Sequence, residues 1–138
     1  MSKLVDQLKR HEGFRNRMYK DTVGKNTVGF GRNMDDVPIT STVAEMMLSE
    51  DVAVAYDAAT QLDYWANLSP ARQDVVTNMI FNMGLPRFMG FKNMNAALFL
   101  SDFDMAADEM MDSKWAVQVG DRARELSAQM RNGEYADG

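Results

Sequence analysis

Residues 11–31 read HEGFRNRMYKDTVGKNTVGFG. Gly24, Gly29 and Gly31 divide this stretch into short segments that contain aromatic and β-branched side chains. Glycine allows the positive φ values that tight turns require. The pattern over residues 14–33 therefore predicts short strands with glycine-rich turns, arranged as a small antiparallel hairpin or a three-stranded sheet.

A helix precedes this sheet. Leu4, Val5 and Leu8 recur at the spacing of one helical face, which predicts a helix over residues 3–12. Glu12 continues that face, so we expect its carboxyl group to lie on the core-facing side, where burial favours the protonated acid. A buried carboxylate paired with an arginine is the structural alternative, and the two interpretations are compatible.

The chain after residue 33 is predicted to be almost entirely helical. Thr40, Ser41 and Thr42 are candidate N-caps of the first helix there, and Thr42 with Glu45 has the spacing of a capping box. The predicted elements are a loop over 34–39, a helix over about 40–60, a helix that begins at Ser69-Pro70 and stops at Gly84, a loop over 85–91, two short helices over about 92–100 and 103–112 that end at Ser113-Lys114-Trp115, and a last helix over 121–131. The predicted fold class is therefore α+β and mostly helical.

Composition excludes several classes of protein. The 138 residues, 46% of them hydrophobic, suffice for one domain with a packed core, and the absence of cysteine excludes disulfides and thiolate metal sites. His11 is the only histidine, so histidine-rich metal sites are excluded too, and we expect no metal and no cofactor. The apolar runs are short and the N-terminus lacks the apolar core of a signal peptide, so we expect no stable membrane insertion and retention in a cytoplasm.

The net charge of −5 is distributed unevenly along the chain. Residues 1–33 carry eight Lys or Arg and three acidic residues, a balance of +5, whereas residues 34–138 have a balance of −10. The basic segment either attracts an anionic polymer or decorates a solvated face. The acidic chain as a whole argues against nucleic-acid binding, which needs a broad basic surface.

Glu12, Asp21 and Thr27 are the candidate catalytic residues. Two carboxyl groups and a hydroxyl held close together can protonate a glycosidic oxygen and direct a water molecule onto the sugar carbon. We expect Asp21, at a solvated strand or turn position, to be ionised and to act as base or charge stabiliser, and Thr27 to hydrogen-bond the water. Arg122 is the candidate ion-pair partner that orients the acid. The distance between the carboxyl groups decides between inversion and a covalent route, and the sequence leaves it open.

The residues around these groups resemble a known family. The motifs are Glu12-Gly13-Phe14-Arg15, Tyr19-Lys20-Asp21-Thr22-Val23-Gly24 and Thr27-Val28-Gly29-Phe30-Gly31, followed by Arg72, residues 78–84, Gly90-Phe91, Ser113-Lys114-Trp115, residues 121–124 and Gly133. They are similar to motifs of the phage lysozyme family, glycoside hydrolase family 24, over nearly the whole chain.

This resemblance implies a lysozyme-like fold of two lobes within one domain over residues 1–138. The small lobe, which holds the antiparallel sheet, would span about residues 13–39 and be joined by a long helix over about 40–60. The helical lobe would span about 61–138 and include the N-terminal helix 3–12.

The activity implied by the resemblance is that of a muramidase. Such an enzyme hydrolyses peptidoglycan at the β-1,4 bond between N-acetylmuramic acid and N-acetylglucosamine, here by inversion and in phage-driven lysis of a host. Glu12 matches the general acid of the family, Asp21 its second carboxylate and Thr27 its water-positioning hydroxyl. The positions that match the lining of the cleft or core, and are expected to bind substrate, are Phe30, Asn78, Asn82 and Trp115. For the two asparagines, a polar helix edge is the alternative.

The expected partner is the glycan strand of peptidoglycan, bound by a monomer. Access from the host cytoplasm to periplasmic peptidoglycan would need a separate holin-type pore, an inference from the family.

The chain also departs from the family pattern. Residues 33–39 are much shorter than the same stretch of the longest members, which implies a trimmed small lobe. Arg32 stands where many members have histidine, and we predict that it pairs with Asp51. Two alternatives to a hydrolase are a lytic transglycosylase, disfavoured by the presence of Asp21 and Thr27, and a catalytically inactive lysozyme-like module that binds cell walls or packs in a virion.

Overall fold

The predicted sheet and most of the predicted helices are present in the computed structural model, which describes residues 2–135. The elements in chain order are α1 (Ser2–Glu12), β1 (Arg15–Lys20), β2 (Asn26–Gly29), β3 (Arg32–Asn33), α2 (Ser41–Ala59), a 3₁₀ turn (Trp65–Asn67), α3 (Pro70–Met83), α4 (Leu85–Met89), α5 (Lys92–Phe99), α6 (Phe103–Met111), α7 (Lys114–Val119) and α8 (Asp121–Asn132). The mostly helical α+β class is confirmed. No helix within residues 2–135 is long and apolar enough to cross a membrane.

The chain divides into two compact units between Met47 and Leu48, a boundary within α2. The N-terminal unit contains α1, the sheet and the start of α2. The C-terminal unit contains the rest of α2 and the helices α3 to α8.

The sheet of the N-terminal unit has the strand order β1-β2-β3, and both neighbouring pairs are antiparallel. Thr27 lies in the central strand, opposite Tyr19 of β1 and Asn33 of β3. The register shifts between Arg15 and Tyr19, which is the signature of a bulge. Because Thr27 is paired on both sides, its backbone is fixed by two neighbouring strands.

The helix α1 ends where the sequence predicts but is not buried as predicted. It stops at Gly13, whose amide donates to the Lys9 carbonyl at 2.9 Å and whose φ is +69°. None of its residues is buried, and the apolar stripe predicted to face the core is exposed. Glu12 is exposed as well, so the prediction of a buried carboxyl group is wrong. An apolar stripe marks a face that can pack, but does not by itself supply the packing partner.

The helix α2 begins at Ser41 because Thr40 caps it. The Thr40 hydroxyl accepts a hydrogen bond from the Val43 amide at 3.2 Å. The predicted capping box of Thr42 and Glu45 is therefore wrong, since the capping side chain lies earlier in the chain.

The helices α3 to α8 pack around the apolar core of the C-terminal unit. As predicted, α3 begins after Ser69, whose hydroxyl accepts from the Arg72 amide at 3.3 Å, and it ends at Gly84. Each of the six helices contributes to the core, with Val75, Val76 and Met79 of α3, Phe88 of α4, Met94 and Leu98 of α5, Met110 of α6, Trp115 of α7, and Leu126 and Met130 of α8.

Two short helices differ from the sequence prediction. Residues 85–91, predicted as a loop, contain α4 with Pro86 in its first turn. The helix α7 begins at Lys114, where a helix pair was predicted to end, and Ser113 caps it by accepting from the Ala116 amide at 3.1 Å. Both helices are too short, at five and six residues, for an apolar repeat to be recognised in the sequence.

Candidate active site

Backbone amides hold the carboxylate of Asp21 in the turn between β1 and β2. Its Oδ1 accepts hydrogen bonds from the amides of Val23 and Lys25, both at 2.9 Å. Two amide donors on one oxygen fix the orientation of the carboxylate. Its Oδ2 receives no hydrogen bond from residues 2–135 and is the oxygen available to a water molecule.

Thr27, in β2, is only 3% exposed. Its Oγ1 donates a hydrogen bond to the Lys25 carbonyl at 3.0 Å. A hydroxyl whose proton is used in this way still has lone pairs that accept hydrogen bonds. Thr27 can therefore accept a hydrogen bond from a water molecule but has no proton left to donate to it.

The main chain of Lys25 joins these two groups. Its amide donates to the Asp21 carboxylate, and its carbonyl accepts from both the Asp21 amide and the Thr27 hydroxyl. Asp21 and Thr27 are thus held together by backbone atoms. The sequence prediction did not include Lys25. The available signal was Asp21 in a turn ahead of Gly24, the pattern of an Asx turn, in which an aspartate binds an amide two residues further on.

Glu12 is the last residue of α1, and the turn between β2 and β3 lies against its side chain. At Gly31, in that turn, an added Cβ would lie 2.7 Å from Glu12 Cδ. The structure therefore places Glu12 beside the turn that follows β2, whereas Asp21 lies in the turn that precedes β2. The three predicted catalytic residues all belong to the N-terminal unit.

Phe30 lies in the same turn as Gly31 and is 47% exposed. Its ring centroid is 5.3 Å from that of Phe14, and Lys9 Nζ lies 5.6 Å from the centroid of the Phe30 ring. An exposed ring beside a cation offers one surface for the apolar face of a sugar and a charge for an anionic substituent.

Arg122 of α8 and Asn78 of α3 form a hydrogen-bonded pair in the C-terminal unit. Nε and Nη2 of Arg122 both donate to Asn78 Oδ1, at 3.0 and 2.7 Å. Both residues are half-buried and line a cavity of about 510 Å³. Asn78 Nδ2 has no hydrogen bond to the described residues and is free to donate to a ligand. The pairing of Arg122 with Glu12 stays a prediction.

Trp115 holds Asn82 in place. The Trp115 side chain is 1% exposed, and its Nε1 donates to Asn82 Oδ1 at 2.8 Å. Its ring packs edge-on against Phe91, with centroids 6.4 Å apart. Asn82 is exposed, and its Nδ2 has no hydrogen bond within residues 2–135. That Trp115 and Asn82 bind substrate stays a prediction.

The side chain of Arg32 is hydrogen-bonded within the N-terminal unit. Its Nη2 donates to the Pro38 carbonyl at 2.9 Å, and its Nε is buried without a partner among the described residues. The ion pair of Arg32 with Asp51 stays a prediction.

The chemical groups of the N-terminal unit suit acid–base work on a bond that water attacks. They comprise two carboxyl groups, one of them with an oxygen that receives no hydrogen bond from residues 2–135, and a hydroxyl that can accept a hydrogen bond from water. In the part of the chain that the structure describes, no three His, Asp or Glu residues form a group that could hold a metal ion.

Known proteins are similar to this chain over most of its length. A family model described as phage lysozyme matches residues 9–132. The chain is 26% identical to "Probable T4-type lysozyme 1" of Dictyostelium discoideum, over 96% of each chain. It is 31% identical to an endolysin of Acyrthosiphon pisum secondary endosymbiont phage 1, over 79% of this chain and 74% of the relative. It is 25% identical to the pre-baseplate central spike protein Gp5 of Enterobacteria phage T4, over 90% of this chain and 27% of that protein.

Proposed function

The chain belongs to the phage lysozyme family, and on this premise we propose that it is a muramidase. It would cleave the β-1,4 bond between N-acetylmuramic acid and N-acetylglucosamine in peptidoglycan, by inversion. The observation that carries the proposal is the connection of Asp21 and Thr27 through the main chain of Lys25, in the same unit as Glu12. The endolysin among the relatives supports the same substrate class.

Glu12 is the general acid in the proposed reaction. It gives its proton to O4 of N-acetylglucosamine as the bond from that oxygen to C1 of N-acetylmuramic acid breaks. A water molecule attacks C1 from the opposite face, and its proton passes to Asp21. A single displacement inverts the configuration at C1.

Thr27 and Asp21 together bind the attacking water. Because the Thr27 proton is donated to the Lys25 carbonyl, Oγ1 accepts one hydrogen from the water. The other hydrogen is directed to Asp21 Oδ2, since Oδ1 is occupied by two amides. A lone pair of the water is then left for attack on the sugar carbon.

The glycan strand is bound, in this proposal, by one aromatic side chain and two amides. Phe30 offers an exposed ring to a sugar face. Asn78 and Asn82 offer Nδ2 donors, and their oxygens are already bound by Arg122 and Trp115. Arg122 is proposed to support the catalytic acid as well.

The Glu12→Gln variant tests the general acid. We expect the clearing rate of a peptidoglycan suspension to fall by roughly 10²–10⁴-fold, because an amide has no acidic proton to transfer. The far-ultraviolet circular dichroism and the unfolding temperature should stay as in the wild type. Asp6→Asn, on the same exposed helix and with the same change of charge, is the matched control and should clear at the wild-type rate. A Glu12→Gln variant that clears like this control would remove Glu12 from the role of acid.

The products separate the possible reactions. Hydrolysis adds one water to the fragments, whereas a transglycosylase leaves an anhydro sugar, and mass spectrometry distinguishes the two. Proton NMR during turnover should show the α anomer of the new reducing end first, as inversion of a β bond requires. A first-formed β anomer would contradict inversion.

The biological setting that we propose is phage-driven lysis of a host. The protein would act as a monomer that stays in the host cytoplasm until a holin-type pore admits it to the periplasmic peptidoglycan. When the protein is produced in a bacterial cytoplasm, lysis should follow permeabilisation of the inner membrane and not production alone.

The similarity to the central spike protein favours a second candidate function. In that case the chain would be a lysozyme-like module, without turnover, that binds cell walls or packs in a virion. Tight binding of the wild type to peptidoglycan with no release of fragments would favour this candidate over the muramidase.

A further inference from the structure

We propose that Gly31 is a positioning residue for the catalytic acid, because its missing side chain leaves the space that the Glu12 carboxyl group occupies. The proposal rests on the proposed function, in which Glu12 is the acid. In this proposal, the turn between β2 and β3 determines the position of the Glu12 carboxyl group, which is the proton donor.

The geometry at Gly31 is specific to the carboxyl group. A Cβ built on Gly31 would lie 2.7 Å from Glu12 Cδ and 3.0 Å from Glu12 Cγ, and nearer still to Oε2. Real Cβ atoms essentially never approach another heavy atom more closely than 3.0 Å, so one of the two groups must move. The obstacle is the end of a flexible, exposed side chain and not backbone. Any side chain at position 31 therefore displaces the acid while the sheet remains in place.

Gly29 provides a matched comparison at the other end of the same turn. Its φ is +69°, close to the +72° of Gly31, so alanine at either position meets similar backbone strain. Nothing lies within 4 Å of a Cβ added to Gly29. Alanine at Gly29 therefore reports the backbone strain alone, and alanine at Gly31 reports that strain together with displacement of Glu12.

Displacement of the acid should affect turnover more than binding. A misplacement of about 1 Å in a catalytic group can lower the rate by roughly 10²-fold. Glu12 donates its proton in the transition state, so the loss is expected in kcat, with KM changed less than about twofold. Purely structural damage at this turn would lower the unfolding temperature and leave kcat unchanged well below that temperature.

The experiment compares the wild type, Gly29→Ala and Gly31→Ala. For each protein, kcat and KM on soluble peptidoglycan fragments, the unfolding temperature and the ¹³C NMR chemical shift of the Glu12 carboxyl group are measured. The unfolding temperature should fall by a similar amount in both variants. Only Gly31→Ala should lose kcat, by about 10- to 100-fold, and only it should change the ¹³C chemical shift of the Glu12 carboxyl group, which reports the surroundings of that group. Equal kcat values in the two variants, or an unchanged Glu12 carboxyl chemical shift in Gly31→Ala, would overturn the proposal.

Failure of the proposed function has a different signature. If the wild type releases no fragments, the muramidase assignment fails, yet the chemical shift of the Glu12 carboxyl group in the three proteins still reports whether residue 31 and that group compete for space. If Gly31→Ala does not fold, a Glu12→Ala background removes the carboxyl group. There, Gly31→Ala and Gly29→Ala should lower the unfolding temperature equally, and a larger loss for Gly31→Ala would overturn the proposal.

Discussion

Asp35 holds the start of the strand that carries Thr27. The Asn26 amide donates to Asp35 Oδ2 at 2.9 Å, and Asn26 Nδ2 donates to Asp35 Oδ1 at 3.1 Å. These two hydrogen bonds lower the pKa of Asp35 below its ordinary value of 3.8, with smaller contributions from the charges of Lys20 and Lys25. Asn26 directly precedes Thr27, so one carboxylate on the surface fixes the backbone on which the proposed water site depends.

The pH dependence of stability tests this contact. A carboxylate with a lowered pKa in the folded state stabilises the fold above its ordinary pKa, and this contribution is lost as the pH falls through the lower folded value. We expect Asp35→Asn to unfold at a lower temperature than the wild type near neutral pH, and the difference to shrink below pH 3.8. Thermal unfolding of both proteins, from near-neutral pH to below pH 3.8, measures this difference in unfolding temperature. A difference of constant size at all pH values would contradict the role given to Asp35.

At the scale of secondary-structure elements, Arg72 joins α3 to the end of α8. Its Nε donates to the Met130 carbonyl at 2.7 Å and its Nη2 to the Arg131 carbonyl at 2.9 Å, two of the carbonyls that a helix end leaves unpaired. Its guanidinium carbon lies 3.7 Å from the centroid of the Phe103 ring. The chain turns away at Gly133, where φ is +74° and an added Cβ would lie 2.9 Å from the guanidinium.

Loss of this arginine should therefore weaken the C-terminal unit. We expect Arg72→Met to lower the free energy of unfolding by about 2 kcal/mol, because two hydrogen bonds from a charged group are lost and carbonyls of α8 are left unpaired. Urea unfolding followed by circular dichroism measures the change. Arg124→Met, which removes an exposed ion pair with Asp121 three residues away, is the control and should cost about 0.5 kcal/mol or less. Equal losses in the two variants would contradict the role of Arg72.

The sequence predicted long elements better than short ones. In a long helix, the apolar repeat and the residues that mark the helix ends are close together in the sequence. The helices α3 and α8 could therefore be placed from local pattern alone. The helices α4 and α7 are one or two turns long and carry no repeat. Tertiary packing, which a single sequence does not display, decides such segments.

In the candidate site, too, residue types could be predicted from the sequence, whereas contacts that depend on backbone or tertiary packing could not. The residue types of Asp21 and Thr27 pointed to glycosidase chemistry, but the Lys25 main chain that joins them carries no side-chain signal. The pairing of Asn78 with Arg122 links residues 44 positions apart and depends on how α3 and α8 pack. The burial expected for Glu12 failed for a related reason, since periodicity indicates a face and not what covers it.

At the scale of the whole molecule, charge is segregated along the chain. Residues 1–33 have a balance of +5 and residues 34–138 a balance of −10. Lys3, Arg10 and Arg17 are exposed and form no ion pair within the described residues. Peptidoglycan is anionic, so the N-terminal segment should attract it electrostatically. The range of this attraction becomes shorter as the salt concentration rises.

The salt dependence of turnover follows from this segregation. We expect the clearing rate to fall as salt rises from about 0.05 M to about 0.5 M, since the screening length shortens from above 10 Å to a few ångströms. The triple variant Lys3→Gln, Arg10→Gln, Arg17→Gln should clear more slowly than the wild type at low salt and equally at high salt. Superimposable salt curves for the two proteins would show that these cations do not recruit the substrate.

The Lys25 backbone contacts leave the side chain at that position free of any catalytic task. Within residues 2–135, Lys25 Nζ forms a surface ion pair with Asp36, at 3.3 Å, and its charge makes a small contribution to the lowered pKa of Asp35. Because the chain has no cysteine, a single cysteine at position 25 would accept one fluorophore and no other site would compete for it. The dye would then report the arrival of a glycan strand from beside the water site, with every reacting group retained. Proline is unsuited to this position, because it would remove the amide hydrogen that Asp21 binds.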